Sequence, residues 1–125
     1  GASSAALGVN EHAVIKTLVF QDQDGTPLVV LMHGDLEVAP GMLAKEIGAK
    51  KITVCKADVA QKCSGYQVGG TSPFGLKTPM TVYAESTIAD LEQLYINGGK
   101  RGFLVAMSGS ELARVLDPIW VTASA

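Results

Sequence analysis

A mixed α/β domain of the α+β type is the fold class this sequence predicts, and three observations predict it. Short runs rich in β-branched residues recur along the chain, irregularly interspersed with stretches of helical character. Hydrophobic residues make up 47% and charged residues 18%, which supports a proper core and argues against disorder. Neither an internal repeat nor a linker divides the 125 residues, so a single domain is expected over residues 1–125.

The elements follow in order. Ser3 to Leu7, with Gly8 behind it, reads as the last turn of a helix with a glycine C-cap. Residues 1–10 look like the middle of a longer stretch, so an N-terminal piece is expected to be missing. Ala13 to Phe20 (AVIKTLVF) reads as a strand with Lys16 inside it. Asp24-Gly25 signals a hairpin turn, and Pro27 to Met32, apolar on both faces, is the central return strand. Pro40 opens a helix that Gly48 closes, with Met42, Leu43 and Ile47 as its buried stripe. Lys51 to Val54 is a short strand, and Lys56 to Lys62 fits one or two helical turns. Beyond lie a strand over Thr81 to Ala84, a short Ser86-capped helix to Leu91, and a strand over Gln93 to Ile96. Asn97-Gly98-Gly99 makes a turn and Gly102 to Met107 a strand. Ser108 and Glu111 form a capping box before LARVL, and Ile119 to Thr122 is the last strand. The total is about seven strands with three or four helices.

Composition also narrows the function. A net charge of −2 and a pI near 5.6 exclude a generally basic nucleic-acid binder. The charge is uneven, however: Lys45, Lys50, Lys51, Lys56, Lys62 and Lys77 face only Glu46 and Asp58 within that stretch, a local excess of four. Such a side could meet a phosphate backbone or be an ordinary solvated face. The longest apolar run is too short for a membrane, and two cysteines eight apart match no metal or redox spacing. Two free thiols in a reducing cytoplasm is the default reading. His12 and His33 have no Cys or carboxylate at ligand spacing, so no metal site and no cofactor are expected. P-loop and dinucleotide fingerprints are missing, as is any Ser-His-Asp or Cys-His signature.

Three places remain that could carry chemistry. The first is Ser64 to Pro79 (SGYQVGGTSPFGLKTP), with four glycines and two prolines. Such a loop exposes its own main chain, and the N–H groups that precede Pro73 in the loop Gly69-Gly70-Thr71-Ser72-Pro73 could stabilise an oxyanion. The same composition fits a tight connection between strands. Lys16 is the second: it is a solvent-side lysine if it alternates with core residues, and a fixed cation if it points into a pocket. The third, Gly98-Gly99-Lys100-Arg101-Gly102, suits a phosphate or a hairpin turn with two exposed charges.

Together these stretches carry a resemblance. IKTLVF around Lys16, AQKCSGYQVGGTSPFGLKTPMTVYAES and LYINGGKRGFLVAMSGSELARVL resemble, in that order, the YbaK/prolyl-tRNA-editing family. The likeness runs from about Ala5 to Thr122, and the GYxVGGxSPxG form at Gly65 to Gly75 is most similar to the Cys-tRNA(Pro) deacylase branch. It implies a mixed, mostly antiparallel sheet of about seven strands curled into a partial barrel with helices around it. It implies a trans-acting hydrolase of the ester between an amino acid and the terminal adenosine of a mischarged tRNA, working in the cytoplasm. The acceptor end of aminoacyl-tRNA is the implied partner, with prolyl-tRNA synthetase a further one; neither DNA nor a membrane is expected.

By the same resemblance Lys16 and Gly69 are the catalytic positions. Lys16 holds the substrate's adenosine or aminoacyl group, and Gly69 opens the GxxxP loop that Pro73 completes. Gly70, Thr71, Ser72, Pro73, Gly98, Gly99, Lys100 and Leu104 are the implied substrate-binding positions. In the cysteine-specific branch the substrate's thiol attacks its own ester, in accord with the lack of a nucleophile signature. Two departures touch the choice of amino acid. An opening helix and strand are not represented, and Leu104 stands where some cysteine-specific members carry a carboxylate. Alanyl, seryl or threonyl esters are thus alternative substrates. A non-catalytic tRNA- or synthetase-binding module is the alternative from another class, and an unrelated small-ester hydrolase is a third.

Overall fold

The structure is a computed structural model that describes residues 10–66, 72–99 and 103–125. Seven strands are present among them: β1 (Val14–Asp22), β2 (Pro27–His33), β3 (Ile52–Val54), β4 (Val82–Glu85), β5 (Leu94–Asn97), β6 (Leu104–Met107) and β7 (Ile119–Val121). They form one sheet in the order β6-β5-β1-β2-β4-β7, with β3 pairing β1 off that path. The pairs β1/β2, β1/β3 and β5/β6 are antiparallel, with the longest registers in β1/β2 and β5/β6, while β1/β5, β2/β4 and β4/β7 are parallel. The helices are α1 (Pro40–Ile47), α2 (Ala57–Ser64) and α3 (Gly109–Leu116), with 3-10 turns at Glu11–Ala13 and Ser86–Asp90.

Local chemistry sets the boundaries. Asp22 nucleates the hairpin: its carboxylate accepts from the N–H groups of Asp24 and Thr26, and Gly25 takes a positive φ of 79°. β2 is central, between β1 and β4, which explains its run of six buried residues from Leu28 to His33. Pro40 starts α1, and Gly48 ends it in the left-handed conformation. The capping box forms as expected, with Ser108 accepting from Glu111 N–H and Glu111 accepting from Ser108 N–H. The Ser86 expectation is corrected: Ser86 is the first residue of a 3-10 turn, Glu85 holds the cap position, and no side chain caps it. The helix expected at Ser3 to Leu7 lies outside the described residues.

Strand alternation divides the core in two. Ile15, Val29, Leu31, Ala84, Leu94 and Ile96 pack on one face with Ile88 and Leu112. Phe20, Leu28 and Val30 pack on the other with Leu43 and Ala44 of α1, Ile52 and Val121. Each fully buried Val or Leu contributes ~1.5–3 kcal/mol, so β1 and β2, which supply both clusters, anchor the domain. Close approach makes Gly109 obligatory: a Cβ there would lie 2.5 Å from the carbonyl oxygens of Ile88 and Ala89.

Candidate functional site

The alternation along β1 decides where Lys16 points. Ile15 faces the first cluster, so Lys16 lies on the face of Leu18, Phe20 and α1, paired with Met32. Its Nζ donates to Glu37 Oε1 at 3.2 Å, with side-chain exposures of 26% for Lys16 and 82% for Glu37. The stem is covered and the ammonium reaches the solvent edge. An ion pair to so exposed a carboxylate contributes only about 0–1 kcal/mol, so the fold does not depend on it.

Register builds a row around this lysine. The parallel ladder pairs Val14 with Tyr95 and Ile15 with Ile96, which brings Lys16 level with Asn97. The antiparallel ladder pairs Asn97 with Leu104. Lys16, Asn97 and Leu104 therefore lie side by side across β1, β5 and β6 on one face. Gly98 and Gly99 continue from that row. Gly98 N–H donates to Phe103 C=O at 2.9 Å, and a Cβ on Gly98 would lie 2.6 Å from the Phe103 ring. Gly99 has φ 118°, donates its N–H to Asn97 Oδ1 at 2.6 Å, and would bring a Cβ within 2.9 Å of the Tyr66 ring.

Tyr66 ties the turn to the glycine loop, because its hydroxyl donates to Phe74 C=O while its ring lies against Gly99. The loop is closed at its base by Lys77 N–H to Ser64 C=O and Thr78 N–H to Cys63 C=O. Ser72 and Pro73 are buried, and Ser72 Oγ accepts from Phe74 N–H at 3.2 Å. Gly69, Gly70, Thr71 and Lys100 lie outside the described residues. The structure thus joins Lys16, Leu104, Gly98 and Gly99 into one place, and shows no hydrogen bond from Lys16 to Ser72 or Pro73.

The edge of β1 away from β2 is shared by β5 and β3. Gly34 N–H donates to Val14 C=O and Asp22 N–H to Thr26 C=O, so even-numbered residues of β1 bond toward β2. Odd-numbered ones bond toward the other edge, where β5 covers Val14 and Ile15 and β3 covers Phe20 to Asp22. Cys55 N–H reaches Val19 C=O. Between them no described strand covers Thr17, whose Oγ1 is also buried without a hydrogen-bond partner. α2 also packs against β1. Thr17 pairs with Leu31 and so lies with Ile15 on the first-cluster face, opposite Lys16; its buried hydroxyl belongs to that packed face and not to the Lys16 row. Glu37, Asn97 and Tyr66 escaped sequence reasoning as site residues. The only signals were that Asn97 opens a turn and that Tyr66 is an aromatic within the loop.

Comparison with known proteins places this arrangement. The family described as "Aminoacyl-tRNA editing domain" matches residues 1–115. The chain belongs to that family. It is 28% identical over 103 residues to the "Putative Cys-tRNA(Pro)/Cys-tRNA(Cys) deacylase EbsC" of Enterococcus faecalis, covering 82% of this chain and 63% of that protein. It is 33% identical over 85 residues to a proline–tRNA ligase of a Geobacter species, covering 68% of this chain and 15% of the ligase. The chain thus spans less than two thirds of these relatives' length. A crystal structure of a hypothetical protein superposes with a TM-score of 0.91 at 24% identity, over 99% of this chain and 82% of that one. A structure described as a "putative trans-editing enzyme for prolyl tRNA synthetase" gives 0.89 at 20%, over 98% and 77%. The fold is that of an editing domain.

On the opposite sheet face the editing domain holds a second polar cluster, which overturns the expectation that its histidines lack partners. His12 Nδ1 lies 2.9 Å from Asp35 Oδ1, 23 residues away in sequence. The His12 and His33 rings stack at 3.7 Å and 5°. His33 Nδ1 is 2.7 Å from His12 C=O, which makes it the donor, so Nε2 accepts from the Thr87 hydroxyl at 2.7 Å. Burial pushes the His33 imidazole below its usual pKa of 6.5, in keeping with a neutral ring. His12, His33 and Asp35 offer ligand atoms within 4.8 Å of one another. Both His33 nitrogens are already bonded, however, and in-plane lone pairs of parallel rings do not converge on one ion. The cluster ties the start of β1 to the end of β2 and to the 3-10 turn at Ser86–Asp90.

Proposed function

We propose that this editing domain hydrolyses mischarged aminoacyl-tRNA in trans, in the cytoplasm, with Cys-tRNA(Pro) as its first substrate and prolyl-tRNA synthetase as a partner. The observation that carries the reading is the row Lys16, Asn97 and Leu104 beside the Gly98-Gly99 turn. The name of the enterococcal relative supports the cysteinyl ester.

In this reading the acceptor end lies against the row beside the Gly98-Gly99 turn, and Lys16 exchanges Glu37 for an oxygen of the terminal adenosine or the ester. The main chain at Gly69 and Gly70 meets the scissile ester. The substrate's sulfur attacks its own carbonyl carbon, the bond to the ribose oxygen breaks, and that oxygen takes the thiol proton. Water then opens the thiolactone to free cysteine. Each donor aimed at the developing oxyanion is worth roughly 3 kcal/mol.

The test is a panel of mischarged tRNAs assayed side by side. Cys-tRNA(Pro) is expected to be deacylated faster than Pro-tRNA(Pro), with Lys16→Ala losing most of the activity. Equal rates remove the specificity, and an unaffected Lys16→Ala removes the site. Leu104 favours a second reading, because an apolar side chain in the row suits an alanyl ester better than a charged neighbour would. Faster turnover of an alanyl, seryl or threonyl ester would select that branch.

A further inference from the structure

The six lysines from Lys45 to Lys77 are all exposed, and among the described residues none has an ion-pair partner. They lie on connected pieces of the fold. Lys45 is in the last turn of α1, which packs on β3; Lys50 and Lys51 precede β3; Lys56 and Lys62 are on α2. Lys77 stands across from Gly65, where a Cβ would lie 3.1 Å from its own, at the base of the glycine loop. This stretch carries an excess of four positive charges in a chain of net −2, so the remaining residues carry −6.

Some of these lysines serve the fold, since Lys45 and Lys62 sit in last turns where a cation suits the helix dipole. Lys56 does the reverse. It occupies the N-cap of α2, makes no capping hydrogen bond, and places a cation at the positive end of the helix. A serine or aspartate there would serve α2 better, so helix stability does not account for this lysine.

We infer that the face formed by Lys50, Lys51, Lys56, Lys62 and Lys77 docks the phosphate backbone of the RNA whose acceptor end enters the site, with α2 as its centre. The inference rests on the deacylase reading for the identity of the anion. Its physical basis is independent: exposed cations concentrated in one stretch of the chain, without ion-pair partners among the described residues, neutralise phosphates and release counterions. Lys56 and Lys62 lie ~9 Å apart along the helix and about 120° apart around it, so α2 presents cations at both ends.

The test measures binding of uncharged tRNA to the whole protein by fluorescence anisotropy at several KCl concentrations, which requires no ester chemistry. Lys56→Ser is the decisive variant. It is expected to raise Tm by roughly 3 °C by supplying a cap, while weakening tRNA binding severalfold. Combined with Lys77→Ala it should flatten the slope of log affinity against log salt by about 2. Arg114→Ala, exposed on α3 outside this face, should change neither quantity. Loss of hydrolysis with intact, salt-dependent tRNA binding would sink the deacylase reading and uphold the docking face. Hydrolysis with binding that Lys56→Ser and Lys77→Ala leave untouched would do the opposite. No tRNA binding at 0.05 M KCl would assign the lysines to an acidic protein surface and overturn the inference.

Discussion

Two polar clusters flank the β1–β2 hairpin on opposite faces, and they divide the work against expectation. On one face Lys16 reaches an exposed glutamate through one hydrogen bond of 3.2 Å. On the other, His33 is buried with both ring nitrogens bonded and a second imidazole stacked on it. Histidine is the residue most associated with acid–base chemistry, yet here it is fully engaged within the fold. The plain lysine, held loosely, is the group left able to exchange partners. Availability rather than residue type separates a site from a strut: a side chain whose bonds are all made to the protein has none to offer a substrate.

The largest effect expected from that contrast is on stability. His33→Ala should cost about 3 kcal/mol in urea unfolding, because it leaves a cavity and strips partners from His12 C=O and Thr87, while turnover per folded molecule stays. Loss of turnover at unchanged stability would invert the comparison. Lys16→Ala is the mirror case: about 100-fold slower deacylation, or about 2.7 kcal/mol, with a change in stability under 1 kcal/mol. Thr17→Val sharpens the boundary between the two roles. Removing a buried hydroxyl that no group satisfies should stabilise the fold by ~1 kcal/mol and leave deacylation unchanged, because Thr17 lies on the face opposite Lys16. Slower deacylation by Thr17→Val would place that hydroxyl in the site instead.

The smallest effect is on pH dependence. The folded His33 pKa lies below its unfolded value of 6.5, so between the two the unfolded chain binds more protons and stability rises with pH. Its contribution is complete above about pH 6.5 and is lost as pH falls through the unfolded pKa toward the folded one. Urea unfolding between pH 5 and 7.5 should show this slope in the parent protein and in Lys16→Ala, and a shallower slope in His33→Ala. An identical slope in all three would mean that His33 is not the group responsible.

Much was legible in the sequence because much of the structure is local. The strands fall where β-branched runs predict them, Asp24-Gly25 turns the hairpin, Gly48 ends α1, and Ser108 with Glu111 caps α3. Each depends on residues within a few positions of one another, where propensity and hydrogen-bonding reach act directly. The Ser86 turn departed from expectation because the helix it was to cap is a single 3-10 turn.

What the sequence by itself determined, then, is the elements, their class and the three stretches worth watching, Lys16 among them. Tertiary structure decided the rest. Strand alternation leaves two faces equally open to Lys16, and only the packing of α1 chose between them. The row with Asn97 and Leu104 exists through ladder register. His12, His33, Asp35 and Thr87 show no pattern along the chain because chain folding alone brings them together, and a hydrogen bond depends on distance in space rather than in sequence.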